Sequence, residues 1–530
     1  MTSLLLGPLL RHVTEDTATV WVETGAPCSV EVLGRREPTF TVGGRHYAVV
    51  ALTGLAPGAE HPYEVALDGV VRWPEAGSGR PPSLIRLPAA GAARARIAVG
   101  SCRVSAPETP SAAASPDDDP PGRGPDALRA LARRVAGGPP GERPDLLLLI
   151  GDQVYVDLGA TGGGTADFDG LARLYGRAWG DPLVRWLLST VPSAMILDDH
   201  EVRDGWNTSA RRRRAREDDP AWRGHLAACL AAYWVYQHLG NLAPGELARD
   251  PLLAAVRAAG DGIEALVPAV ARAGAGRPAF HFTRRLGPAR LVVADARGRR
   301  VLDPGRRAML DGDGWAWLDA HLRADAPHLL LVSSVPAFLP RGLHELEGWS
   351  EAVAGGAWGR RAAPLAERVR RAYSLEHWSA FGDSFARLAR MLGEAARGER
   401  GAAPASVIVV AGEVHHGSVT RVRPPGAPAG GPPVWQLVSS PLRNLLDRRH
   451  RALLRLASTR PFAWTAQGAA RAAGVPRPDG RWDPASPLLF ANHVALLDLD
   501  GRRARLRVDA AVDGGGGTAV LETVLERRLS

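Results

Sequence analysis

Apolar and polar positions alternate with the two-residue period of β-strands from Leu9 to about Leu87. Short runs such as TATVWVET and RHYAVVALTGL are separated by Gly, Pro and Asp turns, and no helical pattern interrupts them. This pattern predicts a small N-terminal β-sandwich over residues 1–88. The Pro- and Gly-rich segment SGRPPSLIRLPAAG then predicts a linker, with a domain boundary near residue 90.

Beyond the linker, the apolar runs become continuous and alternate with helical patterns. Runs such as DLLLLIGD and SVIVVAGE are short and rich in Val, Leu and Ile, which is typical of strands buried on both faces. Amphipathic stretches such as DALRALARRVAG lie between them. The alternation predicts an α/β domain over residues 94–515, in which a layered sheet is covered by helices. In the last third, PVWQLVSS, HVALLDLDG and ARLRVDAAV are predicted to complete a second sheet.

The charge of the chain suggests an anionic partner only weakly. The formal net charge over 530 residues is +9, and almost all of the positive charge is arginine. The arginines are scattered except for residues 211–214, which stand in RRRRAREDD beside acids that partly neutralise them. This block is predicted to be a solvated face, with steering of an anionic substrate and nucleic-acid binding as alternatives.

The apolar runs and the cysteines bear on where the protein acts. No apolar run approaches the roughly 18 residues that a membrane-spanning helix needs. The run over residues 4–10 has no basic residue before it and no small-residue cleavage site after it. Cys28, Cys102 and Cys229 are too sparse, and odd in number, for a disulfide framework. We therefore expect a cytoplasmic protein without a membrane span.

Four of the predicted buried strands end in acids, histidines or a cysteine. The segments are GSCR at 100–103, GDQVYVD at 151–157, DDHEVRDGWN at 198–207 and GEVHHG at 412–417. Because ligand and catalytic groups of open α/β sheets gather at the carboxyl ends of strands, we expect these segments to converge on one site. The glycine-rich GATGGGTADFDG at 159–170 lacks the GKS or GKT ending of a phosphate loop and is predicted to be a flexible loop.

GDQVYVD, DDHEVRDGWN and GEVHHG occur in the order, and at the strand ends, that PhoD-like phosphatases use. GSCR, VVADARGRR and SSPLRN agree with the same pattern, and GPLLRHVTEDTATVWVE looks like that family's N-terminal β-sandwich, which is similar to a fibronectin type III module. Over nearly its whole length, the chain therefore resembles the PhoD-like (alkaline phosphatase D) branch of the calcineurin-like metallophosphoesterases. The resemblance implies a four-layer α/β/β/α metallophosphoesterase domain after the sandwich.

The resemblance also implies a dinuclear metal centre. Its six implied ligands are Cys102, Asp152, Tyr155, Asp199, Glu413 and His415. A thiolate with a phenolate suits trivalent iron, whereas the carboxylates of Asp199 and Glu413 are hard oxygen ligands that suit calcium. We therefore expect Fe³⁺ with Ca²⁺, with manganese, magnesium or zinc as alternatives, and with Asp152 as the bridge. Glu413 departs from the family pattern, which has Asp at this position.

The catalytic and substrate-binding residues are implied in the same way. His200 and Arg203 stand beside Asp199, where they would bind the equatorial phosphoryl oxygens, and His200 would also protonate the leaving group. The implied substrate-binding residues are Arg103, Asn207 and His416.

Several of these residues have a structural alternative. Cys102 could be a small core residue, Tyr155 a packed aromatic ring and Asn207 a turn residue. His416 stands next to His415, and successive side chains on extended backbone point apart. Asp157 is predicted either to be structural or to support the ligands.

We predict metal-dependent hydrolysis of phosphodiesters, phosphomonoesters or both, in which a metal-activated water attacks a small phosphate-ester substrate. The alternative is a metal-dependent nuclease or a nucleic-acid-binding protein, which would need a basic stripe along the cleft that scattered arginines do not establish. A metal-dependent hydrolase of other esters would share the ligands but should lack an oxyanion binder such as Arg203.

Overall fold

The computed structural model describes residues 2–118, 122–158, 166–272, 276–303, 305–428 and 430–530. Residues 159–165 of the predicted glycine-rich loop lie outside these ranges. None of the helices within them combines the length and the apolar character that crossing a lipid bilayer requires.

The N-terminal segment consists of strands, as its alternating pattern predicts. The strands are β1 (Leu4–Val13), β2 (Thr17–Thr24), β3 (Ser29–Val32), β4 (Arg35–Pro38), β5 (Phe40–Val42), β6 (Arg45–Thr53), β7 (Glu60–Pro62), β8 (Val65–Leu67), β9 (Val70–Trp73) and β10 (Leu84–Arg86). They form antiparallel sheets in the orders β1-β2-β6-β5, β4-β3-β8-β9 and β10-β7. The two four-stranded sheets share one cluster of buried side chains, which includes Val20, Val50, Val32 and Val65.

The opposite face of the first N-terminal sheet is buried against the rest of the chain. Trp21 and Tyr47 pack against Tyr236, and the Tyr47 and Tyr236 hydroxyls lie 3.0 Å apart. The Arg11 guanidinium is fully buried and donates to the main-chain oxygens of Tyr236 at 3.1 Å and Gln237 at 2.7 Å. The predicted boundary near residue 90 falls between β10 and the next strand, so it separates two segments that are joined by apolar and polar contacts.

The remaining strands form two large sheets. They are β11 (Arg94–Gly100), β12 (Leu146–Ile150), β13 (Ser193–Ile196), β14 (Phe282–Leu286), β15 (Ala289–Ala294), β16 (His328–Ser333), β17 (Ser406–Ala411), β18 (Ser418–Arg423), β19 (Val434–Val438), β20 (Arg481–Pro484), β21 (His493–Asp500), β22 (Arg503–Asp513) and β23 (Ala519–Arg528). The six-stranded sheet has the order β13-β12-β11-β21-β22-β23, and the seven-stranded sheet has the order β14-β15-β16-β17-β19-β18-β20. β11, β12 and β13 run parallel, as do β15, β16, β17 and β19.

The two large sheets bury one face against each other and the other face under helices. Leu148 of β12 and Leu330 of β16 belong to one cluster between the sheets. Their chain neighbours Leu147 and Leu331 point the other way, into two separate clusters that contain helix residues. Strands covered on both sides need apolar residues at every position, which explains the continuous runs in the sequence. The predicted mixed α/β class is confirmed.

The C-terminal strands return to the six-stranded sheet. β21 pairs antiparallel with β11, from Arg94 opposite Asp500 to Val99 opposite Ala495, and β22 and β23 extend the sheet. HVALLDLDG and ARLRVDAAV, as β21 and β22, thus help to complete one of the two large sheets, whereas PVWQLVSS forms β19 of the other. The prediction that all three runs complete the same second sheet is therefore wrong. An apolar run identifies a strand but not its partner, because pairing depends on contacts with residues far away in the chain.

The helices cover the outer faces of the sheets. They are α1 (Pro110–Ala113), α2 (Ala127–Gly137), α3 (Phe168–Trp179), α4 (Pro182–Thr190), α5 (Ala210–Glu217), α6 (Pro220–Tyr233), α7 (Pro244–Leu247), α8 (Pro251–Ala258), α9 (Ile263–Ala271), α10 (Gly312–His321), α11 (Arg341–Ala354), α12 (Ala363–Ala372), α13 (Gly382–Ala396), α14 (Arg448–Ala457) and α15 (Arg460–Ala472). Carboxylates cap several of them at the N-terminus, among them Asp126 for α2 and Asp181 for α4.

Candidate metal centre

The four motif loops lie together at the carboxyl ends of strands. Cys102, Asp152 and Asp199 follow β11, β12 and β13, which are neighbours in the six-stranded sheet, and Glu413 follows β17 of the seven-stranded sheet. The Cys102 thiol lies 3.6 Å from the main-chain oxygen of Glu413, so both sheets deliver loops to the same place. The convergence expected from the strand ends is observed.

Two groups of potential metal donors share Asp152. Donor atoms of Cys102, Asp152 and His415 lie within 4.8 Å of one another, and so do those of Asp152, Asp199 and His200. Cys102 and Asp152 are completely buried, and Asp199 nearly so. Because Asp152 belongs to both groups, its carboxylate occupies the position from which one side chain can contact two cations.

The backbone of this region is strained. Among the described non-glycine residues, eight have a positive φ, and five of these are candidate site residues. The five are Cys102 (56°), Asp152 (54°), Asn207 (60°), Glu413 (67°) and His415 (53°). A non-glycine residue in the left-handed region costs about 1–3 kcal/mol, and such residues cluster at functional sites. The chain therefore accepts strain at the positions where it presents these side chains.

Two carboxylate oxygens without a hydrogen-bond donor fit a cationic occupant. Among the described residues, nothing donates a hydrogen bond to the buried Asp198 Oδ2 or Asp199 Oδ1, and the Arg297 guanidinium lies 3.9 Å from the latter. Asp199 Oδ2 accepts from Gly205 N at 2.6 Å, and Asp198 Oδ1 accepts from the buried Arg297 guanidinium at 2.7 Å. A buried acceptor without a donor is costly unless something else satisfies it, and a metal ion satisfies carboxylate oxygens.

Burial disfavours the ionised forms of Asp152 and Cys102. It raises the pKa of Asp152 well above its ordinary value; the charge of His200 opposes this shift, and the carboxylates of Asp198 and Asp199 add to it. Burial, with the charge of Asp152, likewise raises the pKa of Cys102. A nearby cation would restore the ionised forms, which are the forms that bind metals. The residues thus fit the pair of cations that the resemblance implies.

Tyr155 lies at the edge of this cluster. Its ring is buried 4.3 Å from the His200 ring, centre to centre, and its hydroxyl accepts from Asn444 Nδ2 at 3.1 Å. Burial raises the pKa of the hydroxyl well above its ordinary value, and Cys102 and Asp152 raise it further. Asn444 ends the SSPLRN segment, to which the sequence assigned no role of its own.

His200 is oriented by two carboxylates. Its Nδ1 lies 2.9 Å from Asp157 Oδ1, and its main-chain N–H donates to Asp152 Oδ1 at 3.3 Å. Burial lowers the pKa of His200, but the charges of Asp152, Asp199 and Asp157 outweigh burial and raise it well above the ordinary value. Arg203 follows in the same loop, and its guanidinium lies 5.9 Å from the centre of the Trp222 ring in α6.

Glu201 was missed as a functional residue, although it stands within DDHEVRDGWN. Its buried carboxylate accepts main-chain N–H bonds from Asp152 at 3.2 Å, Gln153 at 2.7 Å and Asp198 at 2.9 Å. These bonds fasten the loop after β12 to the loop after β13. Glu201 therefore holds two of the donor-bearing loops in register.

A second missed group positions Glu413. Its Oε2 lies 2.7 Å from His377 Nε2, and His377 Nδ1 lies 2.6 Å from Glu347 Oε1. The Ser379 hydroxyl donates to the other oxygen of Glu347. Burial lowers the pKa of His377, but Glu347 and Glu413 outweigh it and raise the pKa well above the ordinary value. The signal in the sequence is a histidine in SLEHWS, a segment between two helices with no other motif.

The three predicted substrate-binding residues make hydrogen bonds within the protein. Arg103 is buried and donates to Asp126 Oδ2 at 2.8 Å and to the main-chain oxygen of Ala178 at 2.7 Å. Asn207 donates through Nδ2 to the main-chain oxygen of Arg297 at 2.7 Å. His416 is buried, with Nδ1 2.9 Å from the main-chain oxygen of Val414, and burial lowers its pKa to about 4. Substrate contact by these residues stays a prediction. It is least compatible with the contacts of Arg103, whose guanidinium is already bound to Asp126 and Ala178.

Comparison with known proteins supports the fold. The sequence profile of a domain of unknown function, DUF7800, matches residues 1–85. No curated protein matches the chain. A solved structure entitled "Structure of PhoD" superposes with a TM-score of 0.61 at 13% sequence identity, covering 100% of this chain and 92% of that chain.

Proposed function

Because the chain has a PhoD-like fold, we propose that it is a metal-dependent phosphoesterase that hydrolyses phosphodiesters, phosphomonoesters or both. The observation that carries the proposal is the position of Asp152 between two groups of buried donors at the strand ends. We place this site in a four-layer α/β/β/α domain over residues 94–515, behind a fibronectin III-like sandwich over residues 1–88.

The proposed centre holds two cations. Cys102, Tyr155 and His415 would bind Fe³⁺, Asp199 and Glu413 would bind Ca²⁺, and Asp152 would contact both. Manganese, magnesium or zinc are alternatives. Asp199 Oδ1, which accepts no hydrogen bond from the described residues, and the carboxylate of Glu413, held by His377, support the assignment of the second ion.

The two cations, when bound, would polarise the phosphoryl oxygens and lower the pKa of the attacking water. His200 supplies the proton. Because Asp157 binds its Nδ1, the remaining ring nitrogen, Nε2, is the one that can hand a proton to the leaving oxygen. Arg203, in the same loop, is proposed to bind an equatorial oxygen of the phosphoryl group.

The nuclease alternative has one supporting observation. Helix α5 begins just after the loop that carries Asp199, and the Arg212 guanidinium lies against Gly205, whose N–H donates to Asp199. A run of arginines beside the site would favour a polyanionic substrate. A single-stranded oligonucleotide in the substrate panel separates this alternative from activity on small esters.

Metal analysis of the purified protein, together with hydrolysis assays, tests the proposal. We expect two bound metal ions and turnover of a bis-aryl phosphodiester or an aryl phosphomonoester that chelation abolishes and added metal restores. If iron is bound, Tyr155→Phe should remove the visible absorption band that a phenolate ligand gives to trivalent iron. Full activity in chelator-treated, metal-free protein would contradict the proposal, whereas a colourless active enzyme would contradict only the iron assignment.

A further inference from the structure

Helices α14 and α15 form a strongly basic hairpin. Between residues 448 and 477 the sequence contains no aspartate or glutamate. Six arginines fall within the two helices: Arg448, Arg449, Arg451, Arg455, Arg460 and Arg471. In a chain with 56 acidic residues, this is a long segment without internal charge compensation. Arg448 and Arg451 pair with Asp117 elsewhere in the chain, and the other four arginines are suited to an anionic partner.

The same hairpin exposes large apolar side chains. Leu453 and Leu456 on α14 are 46% and 53% exposed, and Trp464 on α15 is 69% exposed, the highest value for a large apolar side chain among the described residues. Positions three or four apart share one face of a helix, so Leu453 lies with Leu456 and Arg449, and Trp464 lies with Arg460. Each helix thus combines apolar and basic side chains on its outer face.

The inner faces of the hairpin are already occupied. Ala466 and Ala470 of α15 are buried, and Gly342 of α11 lies directly against Phe462 and the main-chain oxygen of Ala457. The exposed leucines and tryptophan are consequently on the side that intramolecular packing leaves open.

The hairpin contacts the body of the protein on two sides of α14. Arg451 pairs with Asp117, and the Arg455 guanidinium lies 5.2 Å from the centre of the Phe490 ring. The Phe490 ring in turn lies 6.2 Å from the ring of His416 in the loop after β17. These contacts fix the orientation of α14, so its exposed side chains keep a defined position.

We propose that the outer face of α14 and α15, defined by Leu453, Leu456, Trp464 and the flanking arginines, docks on an anionic phospholipid bilayer. Arginine side chains bind lipid phosphates, and tryptophan and leucine enter the boundary between head groups and acyl chains. A second copy of the chain is disfavoured because a twofold interface would bring the same arginines together. Nucleic acid would engage the arginines but offers no apolar region for Leu453 and Leu456.

Co-sedimentation of the full chain with vesicles tests this docking, independently of any enzymatic activity. We expect the protein to pellet with vesicles of phosphatidylglycerol and phosphatidylcholine, to remain in solution with phosphatidylcholine alone, and to dissociate at high salt. Replacing Arg449, Arg460 and Arg471 with Gln should lower the partition coefficient by roughly tenfold or more, because each arginine near the surface contributes separately. Trp464→Ala should lower it as well.

Matched changes elsewhere provide the controls. Arg94→Gln with Arg503→Gln removes two exposed arginines from the six-stranded sheet, and Val524→Ala removes an exposed apolar side chain from β23. Both variants should bind vesicles like the parent. Equal binding by parent and hairpin variants, or no binding to anionic vesicles, would overturn the proposal. So would a dimer in sedimentation velocity that Trp464→Ala dissociates, or arginine-dependent binding of an oligonucleotide without binding of vesicles.

Discussion

Two buried carboxylates near Cys102 have opposite environments. Asp126 accepts from the Arg103 guanidinium at 2.8 Å and from the main-chain N–H of Leu128 at 3.1 Å, and despite burial, Arg103 lowers its pKa. Among the described residues, Asp152 receives hydrogen bonds from the Cys102 thiol and the main-chain N–H of His200, at 3.3 Å each, and burial raises its pKa. The protein completes the coordination of the first carboxylate and leaves that of the second to an occupant. A buried acid therefore indicates a binding site when its partners are too few, not merely because it is buried.

Asp152→Asn tests the carboxylate that we expect to bind the metal ions. We expect kcat/KM for a phosphodiester to fall by about three orders of magnitude, because a neutral amide would serve two cations poorly. The metal-free variant should unfold at no lower temperature than the metal-free parent, since burial disfavours the ionised form of Asp152 and an amide of the same shape does not ionise. Asp145→Asn, at the opposite end of β12, should leave kcat/KM unchanged. Parent-like turnover by Asp152→Asn would place the chemistry elsewhere.

Asp126→Asn tests the carboxylate whose partners the protein itself supplies. Removing one partner of a buried ion pair leaves Arg103 uncompensated, so the free energy of unfolding should fall by about 3 kcal/mol. Denaturant unfolding measures this loss. The folded variant should still bind metal, because Asp126 caps α2 and does not belong to the donor cluster. A stable variant that has lost its metal would show that the two carboxylates are not separable.

His377→Gln tests whether metal binding depends on the hydrogen bond that holds Glu413 in place. The variant should weaken metal binding by about tenfold to a hundredfold, as is usual for residues that orient a ligand. Metal titration of the apo-protein measures the effect. Ser379→Ala, one step further along the same chain of hydrogen bonds, should have a smaller effect, and equal effects of the two changes would argue against a positioning role for His377.

The pH dependence of the unfolding free energy shows the smallest expected effect, and it isolates the contribution of the Asp126 charge. The pKa of Asp126 is lowered from 3.8 in the folded protein, so its ionised form stabilises the fold above that pH, and this contribution is lost as the pH falls. In metal-free protein, the difference in unfolding free energy between the parent and Asp126→Asn should therefore stay constant down to about pH 5 and shrink as the pH falls below 3.8 and through the lowered pKa of Asp126. A difference that stays constant throughout would mean that charge does not account for the role of Asp126.

The sequence was most informative where chemistry and local pattern coincide. DLLLLIGD predicted both strand β12 and the donor that follows it, because a continuous apolar run and an acid at its end are both local features. The support of that donor by Glu201, and of Glu413 by Glu347 through His377, depends on contacts between distant segments and leaves no periodic signal. Arg103 illustrates the same limit. Its neighbour Cys102 reaches the cluster, but its guanidinium is directed to Asp126 by a helix that begins more than twenty residues later.

The buried contact between the N-terminal strands and the rest of the chain has a consequence for protein production. A chain shortened to begin near residue 90 would lose Trp21, Tyr47 and Arg11, and it would uncover the ring of Tyr236. Large newly exposed apolar surfaces promote aggregation. A truncation near residue 90 is therefore expected to reduce solubility. A shorter chain would need polar replacements on the face that β1, β2 and β6 now cover.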